Sequence, residues 1–75
     1  MELYRHRRKG KAYLLLHRAA HTETLVDYAV YRALYGDRLV WCRPLAMFVE
    51  GGRFMAIHVC DLTPEELRVL QEITT

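Results

Sequence analysis

Glycine-containing turns divide this chain into short apolar segments. The spacing of these glycines constrains the fold more than any other feature of the sequence. Gly10 precedes one segment, Gly36-Asp37 separates two others, and Gly51-Gly52 precedes a fourth. Glycine is common where a tight turn needs a positive φ angle. The spacing therefore predicts short strands joined by turns.

The first two segments have the residue types of strands. Ala12–Leu16 is a continuous apolar run, which favours a strand buried on both faces. Tyr28–Tyr35 is rich in aromatic and β-branched residues and places Tyr31 and Tyr35 on one face. Val30, Arg32 and Leu34 fall on the other face. Ala33 and Leu34 also leave a helix possible in this segment.

The later segments predict a hairpin, a helical turn and a final strand. Leu39–Arg43 resumes the strand pattern after Gly36-Asp37, as expected of an antiparallel hairpin. Pro44 can begin a helical turn that places Leu45 and Phe48 inward. Phe54–Val59 has the pattern of the last strand.

The C-terminal segment carries a complete helix start signal. Thr63 is a capping residue, Pro64 occupies the first helical position, and Glu66 completes a capping box. Leu67, Leu70 and Ile73 would form one apolar stripe, while Glu65, Arg68 and Glu72 would face water. We therefore predict a helix from about residue 64 to residue 73.

The chain is long enough for one hydrophobic core, so we expect residues 1–75 to form a single domain. Its residues are 52% hydrophobic and 27% charged, a balance that argues against disorder. The predicted fold is mainly β: a small, partly closed antiparallel barrel of the SH3-like kind with a C-terminal α-helix. A curled sheet with a helix across it is the alternative.

Charge is distributed unevenly along the chain. Through residue 18 there are six Lys and Arg against one Glu, and thereafter five against eight acidic residues. The basic end is a possible contact for phosphates. However, Arg7-Arg8-Lys9 is favoured as a solvated turn that protects a sheet edge, because dedicated nucleic-acid-binding domains usually have a higher isoelectric point.

Targeting and metal-binding signals are weak. We see no secretory signal and no membrane-spanning apolar run, so the cytoplasm is the predicted location. Cys42 and Cys60 are expected to be reduced, half-buried thiols. No histidine or cysteine pair has the spacing typical of a metal site, and we predict no cofactor.

Several separated blocks closely resemble the small bacterial family catalogued as domain of unknown function 1653. These blocks are Tyr4-Arg5-His6, Lys9-Gly10, Tyr13, His21–Thr24, Val30–Asp37 and Trp41–Phe48. The resemblance covers about residues 4–48, with Arg7-Arg8 as a local insertion. Because the family has no assigned role, the resemblance implies no activity.

The candidate ligand-binding residues fall into two groups. The first is an aromatic and arginine set with His6 at its margin, able to stack on rings or hold acidic groups. It comprises Tyr31, Arg32, Tyr35, Trp41 and Arg43. Core packing is the competing explanation for its tyrosines. The second group is His21 and Glu23, which are two residues apart, as in an acid–base pair, although a hydrogen-bonded turn with solvated side chains is the favoured explanation.

We therefore predict a binding module without catalytic residues, whose partner is a peptide, a protein or an anionic ligand. Weak binding of single-stranded nucleic acid through the basic end, Tyr13 and Trp41 is the alternative. A small enzyme using His21 and Glu23 is the third hypothesis, and it requires a concave site. The oligomeric state is not predicted.

Overall fold

The computed structural model describes residues 1–74, and the side chains of all of these except Glu50. In chain order its elements are strands β1 (Glu2–His6), β2 (Ala12–Ala20), β3 (Asp27–Ala33) and β4 (Val40–Pro44), helix α1 (Leu45–Glu50), strand β5 (Phe54–Ile57), a 3-10 helix (Val59–Asp61) and helix α2 (Pro64–Thr74). The strands form one antiparallel sheet in the order β4-β3-β2-β1-β5. The mainly β fold with a C-terminal helix is therefore confirmed.

Each face of the sheet has its own buried cluster, because successive side chains of a strand point to opposite sides. The aliphatic face carries Leu3, Ala12, Leu14 and Leu34, against which Val69 and Leu70 of α2 pack. The aromatic face carries Tyr13, Ala29, Tyr31, Ala33 and Phe54, against which Phe48 of α1 packs. The apolar run at the start of β2 supplies both clusters, as its burial on two faces predicts.

The sheet curls strongly around its aromatic face. Arg43 lies on the edge strand β4 and Phe54 on the opposite edge strand β5. In a flat five-stranded sheet these edges would be about 19 Å apart, four strand spacings. Yet the Arg43 guanidinium carbon is 5.7 Å from the centroid of the Phe54 ring. The sheet is not closed, but this curl is compatible with the partly closed, SH3-like barrel that the sequence predicts.

The predicted hairpin and helical turn are both present. Strands β3 and β4 pair with Tyr31 opposite Trp41, and Gly36 adopts a φ of 54° in the turn between them. Helix α1 follows Pro44 directly and buries Phe48, which is 1% exposed. The last strand is shorter than expected, since β5 ends at Ile57 and a 3-10 helix follows.

Helix α2 begins with the predicted capping box. The Glu66 N–H donates to Thr63 Oγ1 at 3.2 Å, and the Thr63 N–H donates to Glu66 Oε1 at 2.8 Å. Glu66 itself is buried, because Arg5 of β1 donates to both of its carboxylate oxygens at 3.0 Å. This ion pair locks the helix onto the aliphatic face.

Strand β2 is longer than the apolar run, Ala12–Leu16, from which it was predicted. A bulge at Leu16 shifts the β2–β3 register, and the strand continues to Ala20 with exposed side chains.

Both cysteines are unpaired and exposed, so the expectation that they are half-buried is wrong. No helix within residues 1–74 combines the length and apolarity needed to cross a membrane.

Candidate binding site

Aromatic rings form the floor of a cleft on the curled side of the sheet. The Tyr13 ring meets Tyr31 and Phe54 edge to face, with centroids 5.4 and 5.7 Å apart. Beneath them, Phe48 stacks on Phe54 at 4.3 Å. The space above this floor, which we call the aromatic cleft, measures about 190 Å³. Its lining residues are His6, Lys9, Tyr13, Tyr31, Tyr35, Trp41, Arg43 and Phe54.

Two tyrosine hydroxyls meet in the wall of the aromatic cleft. The oxygens of Tyr13 and Tyr35 are 2.8 Å apart and share one hydrogen bond. Burial, and then the hydrogen bond with Tyr35, raise the pKa of the Tyr13 hydroxyl, so it is neutral at physiological pH. One hydroxyl of the pair therefore retains a proton to donate, and lone pairs remain to accept.

Arg43 lies at the inner edge of the same cleft. Its guanidinium lies over the Phe54 ring, as in a cation–π contact. Its Nη1 atom is buried and has no hydrogen-bond partner among the described residues. A buried donor without a partner is unusual, because losing its hydration costs about 1–3 kcal/mol.

A second concavity, which we call the basic groove, adjoins the aromatic cleft and measures about 470 Å³. It is lined by His6, Arg7, Arg8, Lys9, Arg43, Gly52 and Arg53. The turn after β1 forms one wall and the turn before β5 forms the other. The Arg7 N–H donates to the Arg53 carbonyl oxygen at 2.7 Å, which ties the two walls together. Five of the lining side chains are Lys or Arg, and none is acidic.

His6 joins the two concavities. Its Nδ1 accepts a hydrogen bond from the Lys9 N–H at 3.1 Å, which leaves Nε2 as the nitrogen that carries the proton in the neutral ring. Burial lowers the pKa of His6, and the positive charges of Lys9 and Arg43 lower it further, followed by those of Arg53 and Arg8. Burial, together with the positive surroundings, therefore keeps the His6 ring neutral at physiological pH.

Trp41 stands at the mouth of the aromatic cleft and is 48% exposed. Each of the other aromatic residues has a ring neighbour, whereas no ring of residues 1–74 packs against the Trp41 indole. Trp41 therefore presents a partly exposed indole at the mouth of the cleft.

The structure brings together five of the eight residues that the sequence singled out. His6, Tyr31, Tyr35, Trp41 and Arg43 all line the aromatic cleft. Arg32 does not, because it follows Tyr31 directly and so points to the aliphatic face. There its Nε donates to the Arg38 carbonyl oxygen at 3.1 Å and supports the β3–β4 turn.

His21 and Glu23 lie at the far end of the β2–β3 hairpin. Ala20 is seven residues beyond Tyr13 along β2, which corresponds to about 23 Å of strand. The His21 Nδ1 accepts hydrogen bonds from the N–H groups of Glu23 and Thr24 at 3.2 and 3.4 Å. Together these residues form a hydrogen-bonded turn, and they do not reach the aromatic cleft.

Three contributors to the site did not stand out in the sequence. Lys9 belongs to the basic segment that we favoured as a solvated turn, and it is indeed an exposed turn, yet it lines both concavities. Arg53 and Phe54 reach the site only because β5 pairs with β1. That pairing joins segments about fifty residues apart in the sequence, and no local sequence pattern predicts it.

Among the residues that the structure describes, no three His, Cys, Asp or Glu side chains are placed to hold a metal ion. The donors that line the site are instead cationic or aromatic. Cationic donors suit an anion, and aromatic rings suit a planar group.

Comparison with known protein families adds an identity to this geometry. Residues 2–55 match the family described as protein of unknown function (DUF1653). This segment contains every residue that lines the aromatic cleft and the basic groove, whereas α2 lies outside it. Comparisons with curated proteins and with solved structures gave no match. The resemblance in the blocks between Tyr4 and Phe48 is thus confirmed, and the chain belongs to the DUF1653 family of unknown function.

Proposed function

We propose that this protein is a binding module that takes an anionic ligand where the aromatic cleft meets the basic groove. The observation that carries the proposal is the buried Arg43 Nη1 atom, which has no hydrogen-bond partner in residues 1–74. The Arg43 guanidinium lines both concavities, and an anionic oxygen beside it would form a charge-assisted hydrogen bond. Arg43 is shared by both concavities, so the ligand would contact both.

The charges around Arg43 support the same ligand class. Arg7, Arg8, Lys9 and Arg53 line the groove beside it without an acidic residue among the lining side chains. Like charges gathered in a concave site repel one another and raise the local positive potential. A bound anion would offset this repulsion, whereas an uncharged peptide would leave it in place. We therefore favour the anionic ligand over the uncharged peptide.

An enzymatic role for His21 and Glu23 receives no such support. The Nδ1 of His21 is occupied by backbone N–H groups, and the pair lies on a turn remote from either concavity. We therefore propose binding without a catalytic step at these residues.

Calorimetric titration with inorganic pyrophosphate at low salt tests the proposal, since this probe carries anionic oxygens and no ring. We expect saturable binding that weakens steeply as salt is added. Arg43→Met, which keeps an aliphatic stem over Phe54, should weaken binding about tenfold or more, as expected for a charge-assisted contact. Arg53→Met is a second variant, at an exposed position, should the first perturb the cleft.

Arg68→Met is the matched control, because Arg68 is an exposed arginine of α2 that does not line either concavity. It removes the same charge and should leave the affinity unchanged. Absence of pyrophosphate binding at low salt, or equal losses in the Arg43 and Arg68 variants, would contradict the proposal.

A further inference from the structure

The two concavities are chemically different halves of one site. They share His6, Lys9 and Arg43, so a ligand that extends from one enters the other. The larger is cationic and the smaller is walled by aromatic rings. A ligand that complements both would carry a bulky anionic group beside one planar ring.

The exposed indole indicates how the ring would be held. Trp41 is 48% exposed at the mouth of the aromatic cleft, and an aromatic side chain in such a position can stack on a base. The other cleft rings are already packed edge to face with one another. Trp41 is therefore the cleft residue that we assign to stacking, and one indole stacks on one base.

The tyrosine pair distinguishes a nucleobase from a plain phenyl ring. Tyr13 and Tyr35 together leave one hydroxyl proton to donate and lone pairs to accept. The edge of a nucleobase carries both acceptors and donors, whereas a phenyl edge carries neither. These hydroxyls would be satisfied by a base and not by a phenyl group.

From these features we infer that the ligand is a nucleotide, with its base stacked on Trp41 in the aromatic cleft and its phosphates beside Arg43 in the basic groove. The inference rests on the proposed function and adds the chemical class of the ligand. A nucleoside diphosphate or triphosphate fits best. Its phosphates lie close together, as do the lysine and arginine side chains that line the basic groove. A single nucleic-acid strand would need successive stacking surfaces and a longer cationic track.

Calorimetry with the full chain tests this assignment, using the four common ribonucleoside diphosphates, pyrophosphate, phenyl phosphate and a short oligothymidylate. At least one nucleoside diphosphate should bind about tenfold more tightly than pyrophosphate, as stacking of one base predicts. Trp41→Ala should abolish that advantage, with a much smaller loss of affinity for pyrophosphate. Tyr35→Phe should weaken the nucleotide about threefold to tenfold and leave phenyl phosphate unaffected.

Val40→Ala is the matched control for Trp41→Ala. Val40 is the preceding residue of β4, is 53% exposed, and points to the opposite face of the sheet. This variant should bind every probe as the parent protein does. Changes of equal size in the Val40 and Trp41 variants would mean that the strand, rather than the indole, was perturbed, and would overturn the inference.

The remaining outcomes separate this inference from the proposed function. Equal affinity for pyrophosphate and for every nucleoside diphosphate would overturn the nucleotide while leaving the anion site intact. Phenyl phosphate binding as tightly as the best nucleotide would overturn the nucleobase. An oligothymidylate that binds far more tightly than any mononucleotide would replace it with a nucleic-acid strand. Failure of every probe would remove the proposed function itself.

Discussion

Arg5 on the aliphatic face and Arg43 on the aromatic face are both partly buried, and their surroundings differ sharply. On the aliphatic face, the Arg5 guanidinium donates to both Glu66 carboxylate oxygens and to the carbonyl oxygens of Gly10 and Asp61. On the aromatic face, Arg43 rests on Phe54 and its Nη1 has no partner in the described chain. Both arginines belong to strands of the sheet, so their secondary structure does not account for the difference in hydrogen bonding.

The contrast is between an arginine whose guanidinium Nη1 and Nη2 are both hydrogen-bonded within the protein and one with an unpaired nitrogen among the described residues. Arg5 joins β1 to α2, and its hydrogen bonds compensate for the water that burial removes. The Arg43 position instead retains an unsatisfied donor in the folded protein, a cost that binding sites commonly carry. Both faces hold packed clusters, and we propose the aromatic face as the one that binds the ligand.

The largest expected effects come from the packed centres of the two faces. Phe48→Ala should lower the free energy of unfolding by about 3–5 kcal/mol, and Leu34→Ala by about 2–5 kcal/mol, because both side chains are almost fully buried. Urea unfolding followed by circular dichroism measures both. A loss below about 1 kcal/mol in the Phe48 variant would mean that the rings are not a packed core.

The next prediction tests the two arginines directly. Arg5→Met should cost about 2–3 kcal/mol, because it leaves the buried Glu66 carboxylate with fewer donors. Arg43→Met should change stability by no more than about 0.5 kcal/mol, since the lost cation–π contact is offset by removal of an unsatisfied donor. Equal losses of stability in the Arg5 and Arg43 variants, measured by urea unfolding, would contradict the different roles of the two arginines.

A smaller effect appears as a pH dependence of stability on the aliphatic face. Burial alone would raise the pKa of Glu66, but the hydrogen bonds from Arg5 and Thr63 outweigh it and lower the pKa below 4.5. The contribution of the ion pair is therefore complete above the ordinary pKa and is lost as pH falls through the lowered value. The stability difference between the parent protein and Glu66→Gln should shrink in that acidic range.

Urea midpoints measured from neutral to acidic pH follow this change, and Glu65→Gln serves as the control. Glu65 belongs to the same helix turn but is exposed, and its ion pair among the described residues is with the exposed Arg68. A stability difference for Glu66→Gln that stays constant down to strongly acidic pH would contradict the ion pair as described.

The smallest expected effect is the titration of His6 on the aromatic face. Burial and the neighbouring cations lower the pKa of His6 below its ordinary 6.5. Pyrophosphate bound in the basic groove would neutralise those cations, so the pKa should rise when this probe is added. NMR titration of the imidazole signals, with and without pyrophosphate, measures the shift. No change at saturation would place the anion outside the groove.

Most of the helices and strands were predictable because the sequence signals for them lie within a few residues of one another. The Thr63 capping box, the Gly36 turn and the apolar start of β2 each act through residues a few positions apart. The side of the sheet was also predictable for β3, where strict alternation puts Tyr31 on one face and Arg32 on the other. Choosing between Arg32 and Arg43 as the site residue additionally required knowledge of which face stays open.

The composition of the site was less predictable because it depends on distant pairing and on curl. Arg53 and Phe54 join His6 through the β1–β5 pairing, and Arg43 meets Phe54 across the full width of the sheet. Neither contact follows from a hydrophobic period. The turn at His21 shows the opposite difficulty, since a histidine near a glutamate has the same spacing in a catalytic pair as in a turn.

The position of Trp41 has a practical consequence for optical work on this protein. It is the only tryptophan in the chain, and it stands at the entrance of the cleft. Indole fluorescence therefore originates from one place, beside the cavity where a base would arrive. Quenching or a spectral shift on mixing would report occupancy in real time, without a label attached to the molecule.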